Sequence, residues 1–113
     1  MSRKDIGESG EDRAVEFLEA SGMKVLKRNE RTRFGEIDII AQDGPTTVFV
    51  EVKKKSTTAY GLPEEMVGAM KAKKLIRLSS FYAASYNITG PIRIDVVAID
   101  PDGIRHYRSA VES

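Results

Sequence analysis

Gly35-Glu36-Ile37-Asp38-Ile39-Ile40-Ala41, then Gln42-Asp43-Gly44-Pro45-Thr46, then Thr47-Val48-Phe49-Val50-Glu51-Val52-Lys53 is the stretch on which the fold turns. Two apolar runs flank a turn. Period-two alternation puts Glu36, Asp38 and Ile40 on one face of the first run and Phe49, Glu51 and Lys53 on one face of the second. Residues directly opposed in an antiparallel pair lie on the same side of the sheet, so these faces meet only if the loop holds an even number of residues. An Asp43-Gly44 turn would leave Pro45 at the start of the returning strand, where it has no N–H for the ladder. A four-residue loop, Asp43 to Thr46, avoids this. It sets Asp38 opposite Glu51, and Glu36 opposite Lys53, at Cβ separations of about 5 Å. Like charges facing each other are destabilising unless positive charge sits between them, and a divalent cation with Lys53 beside it is one such arrangement.

Upstream of this stretch, Asp5 followed by Glu8 resembles a capping box, so a first helix is expected from about Asp5 to Ser21, with Gly22 as its C-terminal stop. Ala14 and Leu18 lie in its apolar stripe, and Glu11 falls at the edge of that packed face. Glu11 is either a boundary glutamate reaching water or a carboxylate presented to the neighbouring sheet. Met23 to Arg28 reads as the first strand, and the polar, arginine-rich run from Asn29 to Phe34 reads as a loop into Gly35.

Downstream, Pro63 with Glu64 and Glu65 marks the start of a second helix running to about Tyr86, with Val67, Met70, Leu78, Phe81 and Tyr82 on one broad face. Lys71 and Lys74 fall inside the same stripe. Either the helix bends near Gly68 and they snorkel, or they look into a polar cleft beside the sheet. Ile92 to Asp100 is apolar on both faces around Val96 to Ala98, which places it inside the sheet, and Arg93 with Asp95 reads as a strand-end ion pair. Ile104 to Arg108 reads as an edge strand, and the last five residues as a frayed end.

At 113 residues the chain is one domain, and 31% charged with 41% hydrophobic residues fits a globular protein rather than a disordered one. No apolar run approaches a membrane span. The Met1-Ser2-Arg3-Lys4-Asp5 start has no apolar signal core, and cysteine is absent, so no membrane association and a cytoplasmic location are expected. Net charge is only +1, but residues 46–113 carry the positive excess, concentrated in Lys53-Lys54-Lys55 and in Lys71, Lys73, Lys74 and Arg77.

The residue inventory excludes much chemistry. One histidine, His106, and no cysteine rule out Cys-His nucleophiles and His-rich zinc sites, and no strand precedes a glycine-rich phosphate loop. Asp38 and Glu51 would stand too close for an inverting glycosidase. Metal-assisted hydrolysis remains: hard oxygen ligands from Asp38, Glu51 and Glu11 suit Mg²⁺ or Mn²⁺, and Lys53 can orient an attacking water and offset charge on a phosphate.

Asp38 followed by Val50-Glu51-Val52-Lys53 resembles the PD-(D/E)xK nuclease motif, with Ile37-Asp38 where that pattern has Pro-Asp. Gly7-x-x-Gly10-Glu11-x-x-Ala14, Asn29, Gly35 to Ile40, Phe49 to Lys53, Tyr60-Gly61, Lys71-x-x-Lys74-Leu75 and Asp95 to Ala98 together resemble the YraN family of predicted endonucleases over nearly the whole chain. The resemblance implies an α/β, restriction-endonuclease-like core similar to that of archaeal Holliday junction resolvases, a mixed sheet of about five strands flanked by helices. The leading expectation is a Mg²⁺-dependent DNA endonuclease, with structured or branched DNA as a candidate substrate and a homodimer as a candidate assembly, since two metal sites on a two-fold axis suit two-strand cleavage. Carried over by residue, the resemblance assigns Glu11, Asp38 and Glu51 as metal ligands and Lys53 as the catalytic lysine. Lys71 falls to phosphate contact, and Lys54, Lys55 and Lys74 join it as expected DNA contacts. Two positions depart from the family pattern: Phe34 stands where a small residue is common, and Lys55 where an arginine is. The alternative expectation is a nucleic-acid-binding or assembly protein that keeps the fold without turnover.

Overall fold

The computed structural model describes residues 10–55 and 63–111, excepting the side chains of residues 63–66. Helix α1 spans Gly10–Ala20, followed by strands β1 (Lys24–Thr32), β2 (Gly35–Asp43) and β3 (Thr46–Lys54). Helix α2 (Pro63–Ser85) then leads to β4 (Ile92–Asp100) and β5 (Gly103–Val111). The expected helix start at Asp5 and the Tyr60-Gly61 pair lie outside the described residues.

The strands form one sheet in sequence order. β1, β2 and β3 pair antiparallel, β3 and β4 parallel, and β4 and β5 antiparallel. The single parallel step needs a crossover, which α2 supplies. Alternation along each strand then sends two apolar sets to opposite faces. Ile39, Ala41, Val48, Val50, Val97 and Ile99 pack with Ala14 and Leu18 of α1. Ile40, Phe49 and Ile94 pack with Leu75, Leu78 and Tyr82 of α2. Leu18, Leu78, Val48 and Val50 are almost wholly buried, each contributing about 2 kcal/mol by removing apolar surface from water. The result is the expected mixed five-stranded sheet between helices, consistent with a restriction-endonuclease-like core.

α1 ends as its sequence dictates. Gly22 takes φ +96°, its N–H reaches the Glu19 carbonyl at 3.0 Å, and the Met23 N–H reaches the Leu18 carbonyl at 3.1 Å. Four expectations differ from what is seen. β1 continues to Thr32, so Asn29 to Thr32 is strand and not loop. β1 is an edge strand with a solvent-facing side, which polar residues can occupy without burial. The β2–β3 turn is the two-residue Gly44-Pro45, with Asp43 paired to Thr46. Register is unchanged by this, and Pro45 sits where no ladder N–H is needed. Met70 is 87% exposed rather than packed. Gly68 breaks α2 with φ +73° and ψ 163°, a conformation nearly confined to glycine, and the break rotates the apolar stripe onto Leu75, Leu78 and Tyr82. Finally, β5 runs to Val111, which is buried. A register shift opposite Ile94 to Val96, with Ser109 at φ +52°, lets the strand continue where fraying was expected.

Candidate active site

β2 and β3 are laddered from Asp43↔Thr46 to Ile39↔Val50 and no further. Beyond that point β2 stays paired to β1 as far as Gly35↔Thr32, while β3 stays paired to β4 as far as Lys54↔Ile99. The sheet therefore opens into a notch between residues 35–38 of β2 and 51–54 of β3. Asp38 stands at its apex, where its Oδ2 accepts the Val52 N–H at 2.9 Å. A side chain thus replaces the carbonyl that a continued ladder would have offered, leaving Asp38 anchored but with acceptor capacity to spare.

Continued one step past the last pair, Ile39↔Val50, that register sets Asp38 opposite Glu51. Glu51 lies near enough for its charge to act on Asp38, and Glu51 Oε2 is 3.2 Å from Lys71 Nζ of α2. Burial pushes Asp38 up to about 6, the Glu51 charge pushes the same way, and the Val52 N–H and Lys71 oppose them. An acid pair of this kind lacks enough positive charge, and its hard oxygens suit a cation such as Mg²⁺ that keeps most of its waters. The residues present therefore fit a divalent ion through Asp38 and Glu51.

The raised Asp38 has a measurable consequence for stability. Below pH 4 the carboxyl is protonated both folded and unfolded. Between pH 4 and 6 the unfolded chain gives up that proton while the folded chain keeps it, so stability falls as pH rises and levels off above 6. In chelator, urea denaturation is expected to show this group removing no more than about 3 kcal/mol across that window. Asp38→Asn is expected to flatten that fall and to be the more stable protein at pH 7. An unchanged pH profile in the variant would contradict the assigned environment.

The other expected site residues separate. Lys53 is exposed, two residues beyond Glu51 on the same face of β3. Lys71 reaches Glu51, and Lys74 lies over Gly35, where an added Cβ would meet Lys74 Cε at 2.8 Å. Both readings of these lysines thus hold at once: the helix breaks at Gly68, and the lysines still look towards the sheet. Lys54 packs instead against Gly10 of α1, and the Lys55 N–H ends the parallel ladder on the Ile99 carbonyl at 2.8 Å. Glu11 is not gathered with Asp38 and Glu51. Its Oε1 accepts from Arg28 Nε at 3.1 Å and Asn29 Nδ2 at 2.8 Å, while Arg28 also binds Asp12. Among the described residues no three acidic or histidine side chains converge as a metal cage. Glu36 and Lys53 lie further past the end of the β2–β3 ladder, and Glu36 instead pairs with Arg31 of β1 at 3.9 Å.

Two features went unread in the sequence. Asp95 is wholly buried and holds Arg93 through both oxygens at 2.8 and 2.9 Å, His106 Nε2 at 2.7 Å and the Ser109 N–H at 3.0 Å. Arg93 extends this network to Asp43 at 3.0 Å. The expected Arg93–Asp95 ion pair near the start of β4 is present, and it forms a buried hub joining β4, β5 and the β2 end. The second feature is a groove of about 590 Å³ beside the notch, lined by Phe34, Met70, Lys71, Lys73, Lys74 and Arg77. Its cations had shown in the sequence only as a charge excess.

A sequence model of the uncharacterised protein family UPF0102 matches residues 10–99. The chain is similar to a UPF0102 protein of Persephonella marina, 46% identical over 107 residues that cover 94% of this chain and 92% of that one. It is similar also to one of Symbiobacterium thermophilum, 51% identical over 102 residues, covering 89% and 86% of the two chains. Among solved structures, Pyrococcus furiosus SfsA in complex with Ca²⁺ matches at TM-score 0.35 and 15% identity, covering 97% of this chain and 63% of that one, too distant to argue from. No helix among the described residues is long and apolar enough to cross a membrane.

Proposed function

We propose that this chain, which belongs to the uncharacterised protein family UPF0102, is a Mg²⁺- or Mn²⁺-dependent endonuclease that hydrolyses DNA phosphodiester bonds at the β2–β3 notch. One observation carries this reading: Asp38 and Glu51 are the next residues in register where the β2–β3 ladder ends, and the charge of Glu51 acts on the half-buried Asp38 carboxyl. Lys53 projects from the same face of β3.

Asp38 and Glu51 would hold the cation, which when bound supplies Lewis-acid polarisation of the phosphate. Lys53 orients the attacking water and offsets charge that builds on the phosphoryl oxygens. Lys71, 3.2 Å from Glu51, offsets the charge of the acid pair and would contact a substrate phosphate beside it. Lys74 extends the positive surface along α2, and Lys54, its stem against Gly10, and Lys55 extend it at the end of β3. Glu11 acts in this reading through Arg28 and Asn29, fixing α1 against β1. A two-fold homodimer would present two notches to the two strands of a structured or branched DNA.

A second reading, nucleic-acid binding without turnover, is favoured by one fact: Lys71 and Arg28 already neutralise Glu51 and Glu11. The two part in one assay. Purified protein with Mg²⁺ or Mn²⁺ is expected to cut supercoiled, gapped or four-way-junction DNA, and to stop in chelator. Salt-sensitive binding with no cleavage of any form would favour the second reading.

A further inference from the structure

The groove beside the notch has the chemistry of a platform for an unpaired nucleobase. Met70, Lys73, Lys74 and Arg77 recur at helical spacing on one face of α2, so three cations and an exposed thioether share a stripe that Lys71 joins to Glu51. Among the described residues no acidic side chain lines the groove. The opposite wall is Phe34, at the tip of the β1–β2 hairpin and 39% exposed.

Phe34 is held as a rigid surface. Its N–H donates to Thr32 Oγ1 at 3.1 Å, and that hydroxyl donates to the Gly35 carbonyl at 2.9 Å, which locks the two-residue turn. Phe81 packs edge-on against the ring, with centroids 5.1 Å apart at 82°. Arg77 lies over the ring with Cζ 6.0 Å from its centroid. That spacing is only slightly short of what a base inserted between ring and guanidinium needs, and the arginine side chain is flexible. A large aromatic on a hairpin tip, edge-supported and capped by a guanidinium, does little for the core. It matches the way proteins stack single-stranded bases between aromatic and guanidinium planes while cations follow the backbone.

We propose that Phe34 and Arg77 stack an unpaired base of a DNA strand, with Lys73 and Lys74 on its flanking phosphates, so that this groove selects DNA with an unpaired or displaced base beside the notch. The inference rests on the nuclease reading for its link to cleavage, but its binding chemistry needs no metal.

The test is equilibrium binding by the full chain in chelator, at fixed salt, to a duplex and to the same duplex with one unpaired base. A fluorescent base analogue at the unpaired position reports stacking. The wild type is expected to prefer the unpaired form about tenfold and to quench the analogue. Phe34→Ala is expected to lose both, and Phe34→Tyr to keep both. Phe34→Leu keeps an apolar contact for Phe81 but no ring face, and is expected to lose both while melting close to the wild-type temperature, which separates stacking from folding. A wild type without preference or quenching, or a Phe34→Leu variant that retains them, would overturn the inference. Preference in chelator without cleavage in metal would sink the nuclease reading alone, whereas cleavage without preference would sink the platform alone.

Discussion

Asp38→Asn is expected to lower metal-dependent DNA cleavage by at least about a hundredfold, with Glu51→Gln and Lys53→Met falling into the same range. The substitution at Asp38 keeps the shape and an oxygen to accept the Val52 N–H, so the apex should hold. What disappears is one of the two charges that would bind a cation. The effects should not add: Asp38→Asn with Glu51→Gln is expected to be little worse than either alone, because either change disables the same centre. Rates on gapped DNA in saturating Mg²⁺, beside urea denaturation of each variant, measure this. An Asp38→Asn protein that cuts as fast as wild type would show that the notch is not the reacting centre.

The second large effect is on stability and falls elsewhere in the sheet. Asp95→Ala leaves Arg93 and His106, both mostly buried, without their shared partner, and losing one member of a buried charged group costs about 3–5 kcal/mol. For a chain of this size the melting temperature is expected to drop by more than about 10 °C. Burial pushes the Asp95 carboxyl up, but His106, Arg93 and the Ser109 N–H outweigh it and hold it below its ordinary value. A depressed acid stabilises the fold above the unfolded value near pH 4, and that stabilisation is lost as pH falls through the lower folded value. Wild type should therefore lose stability in that acid range by an amount the variant does not show. A melting temperature unchanged in Asp95→Ala would contradict the buried hub.

Much of this arrangement is legible in the chain because it follows from local rules. The odd register sum that sets Asp38 against Glu51 needs only alternation and the awkward position of Pro45, and it survives a turn shorter than expected. Gly22 marks the end of α1 because its φ of +96° favours glycine, and Pro63 stands at the first position given for α2. The differences arise where tertiary context decides. Asn29 to Thr32 looks like a loop until β1 is known to be an edge. Met70 belongs to an apolar stripe until Gly68 breaks the helix. Glu11 lies at the edge of its helix as read, yet which neighbour it meets depends on the strand laid beside it, and that strand brings Arg28 and Asn29. The Asp95 hub joins residues from β4 and β5 with a bulge at Ser109, a combination no periodicity announces. The notch itself was invisible, since alternation continues past Ile39 and Val50 although the pairing does not.

Crystals soaked in millimolar Mn²⁺ and examined by anomalous scattering test the metal centre most directly. A single peak bridging Asp38 and Glu51, with Lys71 displaced from Glu51 and the peak lost in Asp38→Asn, is the expected result. No peak between the two carboxylates at that concentration would contradict the assignment of the notch as a metal-dependent catalytic site.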